Sequence, residues 1–156
     1  SLLDEMLSAA NLAPSWKNSQ TPRFYVATGE KSKNAVREAL PEFNRKNSEN
    51  ASAYIVTTVV LNRSGFDKDG TAVTEIGNGW AYYDLGLNNM ALLLKATELG
   101  ISTLVMGIRD GEKLRKEFDI PETEAVVSVI AVGYTDSEIV RPKRKSLEDF
   151  AKFYEE

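Results

Sequence analysis

The spacing of apolar positions changes period several times along the chain, and each change marks an element. Leu3, Leu7 and Ala10 recur at helical spacing, and Pro14 closes that helix by disfavouring the α region for Ala13. Phe24 to Ala27 then read as a short buried strand. Lys31 to Leu40 predicts a second helix, with Val36 and Leu40 facing inward and Pro41 ending it. Phe43-Asn44-Arg45-Lys46-Asn47 reads as a polar turn. Ala53 to Leu61 is a β-branched run with no polar alternation, which suits a central strand buried on both faces.

Residues 62–79 carry four glycines, scattered charges and little periodicity, so they predict a long surface excursion, a lid or a dimer arm. Trp80 to Leu99 follows as the longest helix, apolar nearly all round between Leu85 and Leu94. A helix of that kind must be covered on more than one side, and in a domain this small that predicts a homodimer. Gly100 is a plausible cap, Ile101 to Gly107 reads as another buried strand, and Gly111 to Phe118 as a short charged helix. Val126 to Val132 predicts a last core strand, and Ser146 to Tyr154 a terminal helix capped by Ser146. With 156 residues and 42% hydrophobic content, one domain over residues 1–156 accounts for the whole pattern.

Composition narrows the chemistry. The net charge of −4 argues against a general nucleic-acid or membrane-surface binder, and no apolar run is long enough to span a membrane. No signal peptide is visible, which points to the cytoplasm. The chain has neither cysteine nor histidine, so thiolate nucleophiles, imidazole bases and most transition-metal sites are excluded. Enzyme chemistry then falls to carboxylates, amines, hydroxyls, backbone amides or a bound cofactor, and the cofactor is the economical option.

Candidate chemistry gathers in three places. Between the first helix and strand, Pro14-Ser15-Trp16-Lys17-Asn18-Ser19-Gln20 packs hydroxyls, carboxamides, an indole and an ammonium into one connection, a set able to hydrogen-bond and cover a flat, heteroatom-rich molecule. Turn chemistry at Ser15 and Asn18, with Trp16 in the core, accounts for the same residues. Gly107 ends a strand where a ring could approach the backbone closely, or where a turn simply needs glycine. Arg141-Pro142-Lys143-Arg144-Lys145 is the one dense basic cluster and suits a phosphate, or a solvated tail. Gly77-Asn78-Gly79 lacks the third glycine of a dinucleotide fingerprint, and in Asp67-Lys68-Asp69-Gly70 the glycine comes too early for a calcium loop.

In order along the chain, Ala9-Ala10-Asn11-Leu12-Ala13-Pro14-Ser15-Trp16-Lys17-Asn18-Ser19-Gln20, Phe43-Asn44, Asn50-Ala51-Ser52-Ala53, Asp84-Leu85-Gly86-Leu87, Leu99-Gly100-Ile101, Met106-Gly107, Gly133-Tyr134 and Arg144-Lys145-Ser146-Leu147-Glu148 resemble the successive landmarks of the nitroreductase family of FMN-dependent oxidoreductases. The resemblance implies an α+β three-layer sandwich, a central mixed and mostly antiparallel sheet flanked by helices, in an intertwined homodimer with FMN at its interface. It implies cofactor contacts from Pro14, Ser15, Trp16 and Asn18 of the partner subunit, and from Asn44 at the pyrimidine edge. Val105, Met106 and Gly107 would lie at the ring, with the Gly107 amide toward N5, and Arg141, Lys143 and Arg144 would take the phosphate. Hydride would pass from NAD(P)H to the flavin and on to a nitroaromatic, quinone or similar acceptor by ping-pong kinetics, with no catalytic side chain. A flavin-binding or sensor protein without efficient turnover is the alternative, and a structural dimer without cofactor a third. Family members usually open with an Arg-Arg-Ser type segment, and Ser1 begins beyond its place, so truncation or missing first residues is expected. Asn47 stands where members often carry a lysine, with Lys46 beside it.

Overall fold

The computed structural model describes residues 1–155; Glu156, the last residue of the expected domain, lies outside the described residues. Four strands, β1 (Pro22–Ala27), β2 (Ala53–Val60), β3 (Ser102–Met106) and β4 (Glu124–Gly133), form one sheet in the order β1-β2-β4-β3. Every pair is antiparallel, so the parallel part of the expected mixed sheet does not occur among the described residues. The two central strands are β2 and β4, which are also the longest apolar runs. Between Thr57 and Thr58 the register slips, and Val127 opposite is left over as a bulge.

Helices cover both faces. On one side lie α1 (Leu2–Asn11) and α4 (Gly79–Glu98), whose Met6, Ala10, Leu92 and Ala96 bury against Ala53, Ile55, Ile130 and Val132. On the other lie α2 (Glu30–Glu38) and α5 (Gly111–Glu117), whose Val36 and Leu114 meet Tyr54, Val56, Val129 and Ala131. Alternate residues of β2 and β4 thus serve opposite layers, as the two-residue strand period requires. This is a three-layer α+β sandwich.

Three expectations need correction. Phe43 to Asn47 is not a turn but most of a helix, α3 (Glu42–Asn47). Pro41 occupies its cap, where no N–H is needed, Glu42 opens its first turn, and Arg45 and Lys46 close its last, all in the favourable sense of the helix dipole. The strand read over Ile101 to Gly107 is shorter and is an edge, not buried: Leu104 and Val105 face outward, Val105 48% exposed. The terminal helix keeps its Ser146 cap on the Asp149 N–H but is only α6 (Leu147–Phe150). With Leu147 and Phe150 exposed, no packed face supports a longer one.

The 62–79 excursion is more ordered than its sequence suggests. Asn62 and Asn78 clasp its neck, the Asn62 N–H donating to Asn78 Oδ1 at 2.7 Å and Asn78 Nδ2 to Asn62 Oδ1 at 2.9 Å. Within it, a bridge pairs Phe66 with Ala72, and Gly65 turns at φ +85°, where an added Cβ would lie 2.6 Å from the Gly77 carbonyl oxygen.

Candidate functional site

The connection between α1 and β1 is held in a conformation the chain does not adopt by default. Three of its residues lie in the left-handed region, Lys17 at φ 46°, Asn18 at 54° and Gln20 at 49°. Asparagine tolerates that region, whereas lysine and glutamine are strained there by roughly 1–2 kcal/mol each. Compensating bonds hold the loop. Ser15 Oγ accepts the Gln20 N–H at 3.0 Å, closing the turn from inside.

The stronger anchor comes from α4. Asp84 is 2% exposed, yet its carboxylate accepts the Trp16 N–H at 3.1 and 3.2 Å and the Ser64 hydroxyl at 2.5 Å. No cation pairs with it among the described residues, so these neutral donors are what compensate its burial. One carboxylate thus ties the Trp16 loop, the 62–79 excursion and α4 together. Trp16 also packs against Trp80 in a tilted pair, ring centroids 4.8 Å apart and planes at 47°, and Trp80 Nε1 donates to Thr74 Oγ1 at 2.8 Å. The indole Nε1 of Trp16 itself is buried without a partner.

Asn44 and Gly107 form a second constellation. Placed on α3, Asn44 donates from Nδ2 to the Ile108 carbonyl at 3.1 Å, which fixes it beside the end of β3. Gly107 is open: nothing lies within 4 Å of where its Cβ would stand. Val105 presents its side chain outward, while the side chain of Met106 is buried in the core between sheet, α2 and α5, leaving only its backbone for a ligand.

The third group makes no hydrogen bond to the other two among the described residues. Arg141, Lys143 and Arg144 are exposed on the extended segment after β4, and the one hydrogen bond from these side chains among the described residues runs from Arg144 to the Pro142 carbonyl at 3.1 Å. Within one chain, no hydrogen bond joins these three groups to one another. Pro14, Ser15, Trp16 and Asn18 are brought together, Asn44 and Gly107 are brought together, and the basic residues are hydrogen-bonded to neither.

A groove of about 620 Å³ runs along the loop, lined by Ser15, Asn18, Ser19, Gln20, Arg23 and Arg63 among others. A second hollow, about 740 Å³, lies between the β3 edge and the start of the terminal segment and includes Lys46 and Asn47. Ser64, Arg23 and Arg63 are framework and groove residues to which sequence reading gave no role, and Asp84 entered it only within the Asp84-Leu85-Gly86-Leu87 landmark, without the anchoring role it has here. For Asp84 a signal existed, since it is the lone acid in an otherwise apolar stretch of helix.

The sequence profile of the nitroreductase family matches residues 1–134. The chain belongs to the nitroreductase family. Among solved structures similar to this nitroreductase-family chain, a gut-bacterial enone reductase of fatty-acid saturation, CLA-ER, gives a TM-score of 0.83 at 21% identity, covering 97% of this chain and 85% of its own. A nitroreductase family protein from Streptococcus pneumoniae TIGR4 gives 0.81 at 20% identity, with 98% and 88% covered. An oxidoreductase described as containing FMN gives 0.74 at 25% identity, with 87% and 67% covered. A search of curated proteins found no match. Membership supports a flavin oxidoreductase in general.

The residues present fit a flavin. An unpartnered buried indole N–H, an open glycine at a strand end and hydroxyl and carboxamide groups on a fixed loop suit a polar tricyclic ring, and the exposed Arg141, Lys143 and Arg144 suit its phosphate tail.

Proposed function

We propose that this chain is the protomer of a homodimeric FMN-dependent oxidoreductase, using NAD(P)H to reduce a nitroaromatic, quinone or similar acceptor by ping-pong kinetics. The observation that carries the reading is the division of the site. The Trp16 loop, the Asn44–Gly107 corner and the basic terminal segment each offer donors suited to one part of a flavin nucleotide, yet no hydrogen bond joins them within one chain among the described residues. Two copies, each lending its loop to the other's corner, would complete the set.

Exposed apolar surface supports that arrangement. Met90 and Leu94 on α4 are 52% and 59% exposed, Val105 is bare on the β3 edge, and Phe150 on the terminal segment is 81% exposed. Surface of this kind on one helix, one sheet edge and one extended arm matches an interface in which the arm wraps a second copy.

Bound FMN would supply the redox chemistry, accepting hydride from the reduced nicotinamide and delivering it to the acceptor. The chain's own residues bind and orient. Ser15, Trp16 and Asn18, with Pro14 shaping their turn, would hold the ring from the partner side, Asn44 would bond its polar edge, and the Gly107 N–H would donate to the ring where Val105 and Met106 leave the backbone accessible. Arg141, Lys143 and Arg144 would hold the phosphate through charge-assisted hydrogen bonds. Asp84 acts through Trp16, keeping the loop in place before any ligand arrives.

The test is a spectrum followed by a reductant. Protein as purified, or after incubation with FMN, is expected to absorb near ~450 nm as an oxidised flavoprotein does. NADH or NADPH then bleaches that band within seconds and an added quinone restores it. A flavoprotein that neither nucleotide bleaches would be a carrier or sensor, and a chain that takes up no FMN would refute the reading.

A further inference from the structure

The groove beside the Trp16 loop holds charge that the cofactor assignment does not use. Arg23, at the start of β1, and Arg63, at the start of the excursion, both line it, and no aspartate or glutamate does. Neither guanidinium pairs with a carboxylate among the described residues. Arg23 is held in place, Nη1 donating to the carbonyls of Gln20 at 2.7 Å and Pro22 at 2.8 Å, so its remaining donors are pre-oriented. Leu7, Pro22 and Phe24 give the groove an apolar floor. Ser19 Oγ, also in its lining, is buried without a partner. A hollow with an apolar floor and two arginines unpaired with any carboxylate, in a chain of net charge −4, suits a molecule with an apolar body and an oxyanion.

We propose that Arg23 and Arg63 form an oxyanion subsite beside the cofactor, giving the enzyme a preference for reactants bearing a carboxylate or phosphate over neutral ones. This rests on the functional reading above, because the groove shares Ser15 and Asn18 with the loop assigned to the flavin. Two sources supply the same chemistry: an acidic group on the acceptor, or the 2′-phosphate of the nicotinamide dinucleotide NADP(H).

Equilibrium binding separates the possibilities without relying on turnover. Titration calorimetry on the oxidised FMN-loaded protein at low salt would compare para-nitrobenzoate with para-nitrobenzamide, and the unreactive oxidised dinucleotides NADP+ with NAD+, for the wild-type chain and for Arg23→Gln, Arg63→Gln and the double variant. Both arginines are exposed, so each is expected to contribute roughly threefold to tenfold in affinity, the low end for a charge-assisted hydrogen bond. The double variant then binds the carboxylate about tenfold or more weakly and the amide unchanged, and added salt narrows the wild-type difference. A selective loss of NADP+ affinity instead assigns the subsite to the 2′-phosphate of the dinucleotide, still an oxyanion. Equal affinities within both wild-type pairs would overturn the proposal. So would loss of bound FMN in the variants, which would make the pair a cofactor-phosphate site. Should the chain take up no FMN, the functional reading fails separately, and the same titration on colourless protein still reads the groove.

Discussion

Replacing Asp84 tests whether a buried, cation-free carboxylate can stabilise the loop it holds. Removal by Asp84→Ala strips the acceptor from the Trp16 N–H and the Ser64 hydroxyl, both in surroundings with little water, and each donor left unpaired costs about 1–3 kcal/mol. Against that stands relief of the carboxylate's own desolvation, which no ion pair offsets here. Two donors to a charged acceptor outweigh that relief, and we expect Asp84→Ala to destabilise by about 3 kcal/mol, a large share of the 5–15 kcal/mol typical of a domain. Asp84→Asn keeps one acceptor but turns an NH2 toward the remaining donor, for a loss of about 1–2 kcal/mol. Urea unfolding near neutral pH, with the slope checked for constancy, gives both values, and the Trp16–Trp80 fluorescence reports the loop separately. A cost below about 0.5 kcal/mol for Asp84→Ala, or a gain, would mean that burying the charge costs as much as its bonds return, and the anchoring role would be lost.

Gly107→Ala should change stability by less than about 0.5 kcal/mol, because its Cβ meets nothing within 4 Å, while the flavin retained after desalting falls several-fold as the methyl intrudes on the ring. Met90→Arg with Leu94→Arg places two charges on the exposed stripe of α4 and should weaken self-association by more than about 100-fold, each lost apolar contact being worth ~1.5–3 kcal/mol, which light scattering reads as a halved mass at micromolar concentration. Burial, and then its hydrogen bond to Glu124, pushes the Tyr25 phenol up to about 12, above the ~10 of an unfolded tyrosine. The native state holds that proton more tightly, so its stabilisation is complete below about pH 10 and is lost as pH rises toward 12; Tyr25→Phe should flatten urea midpoints measured across that window.

The fold was legible wherever burial imposed a period. The continuous β-branched run of β2 and the mixed apolar run of β4 found the centre of the sheet, and Val36 and Leu40 faced inward as their spacing required. Periodicity failed where local electrostatics decided, as in α3, whose six residues hold too few apolar positions to show a face but carry their charges at the correct ends. It failed again at β3, where Met106 is core but Leu104 and Val105, read as core with it, are left uncovered within one chain. Of the candidate site, the loop, Asn44 and Gly107 could be found one by one, but their anchoring by Asp84 joins residues 68 apart and is visible only in three dimensions.

The strain in the Trp16 loop and the burial of Asp84 explain one another. A connection with Lys17, Asn18 and Gln20 all at positive φ would relax to ordinary turn geometry if it were free, since at least two of the three gain roughly 1–2 kcal/mol by leaving. It does not relax because Trp16 is pinned at its backbone by Asp84 and at its ring by Trp80, and because Ser15 closes on Gln20. Strain held in this way fixes the loop's donors before a ligand arrives, so that binding does not have to order them. A plain helix-to-strand connection would need neither the strain nor a carboxylate withdrawn from water to maintain it. The energetic cost of the loop is therefore itself an argument that its shape serves a ligand, and the same carboxylate, through Ser64, makes the excursion's position depend on the loop's.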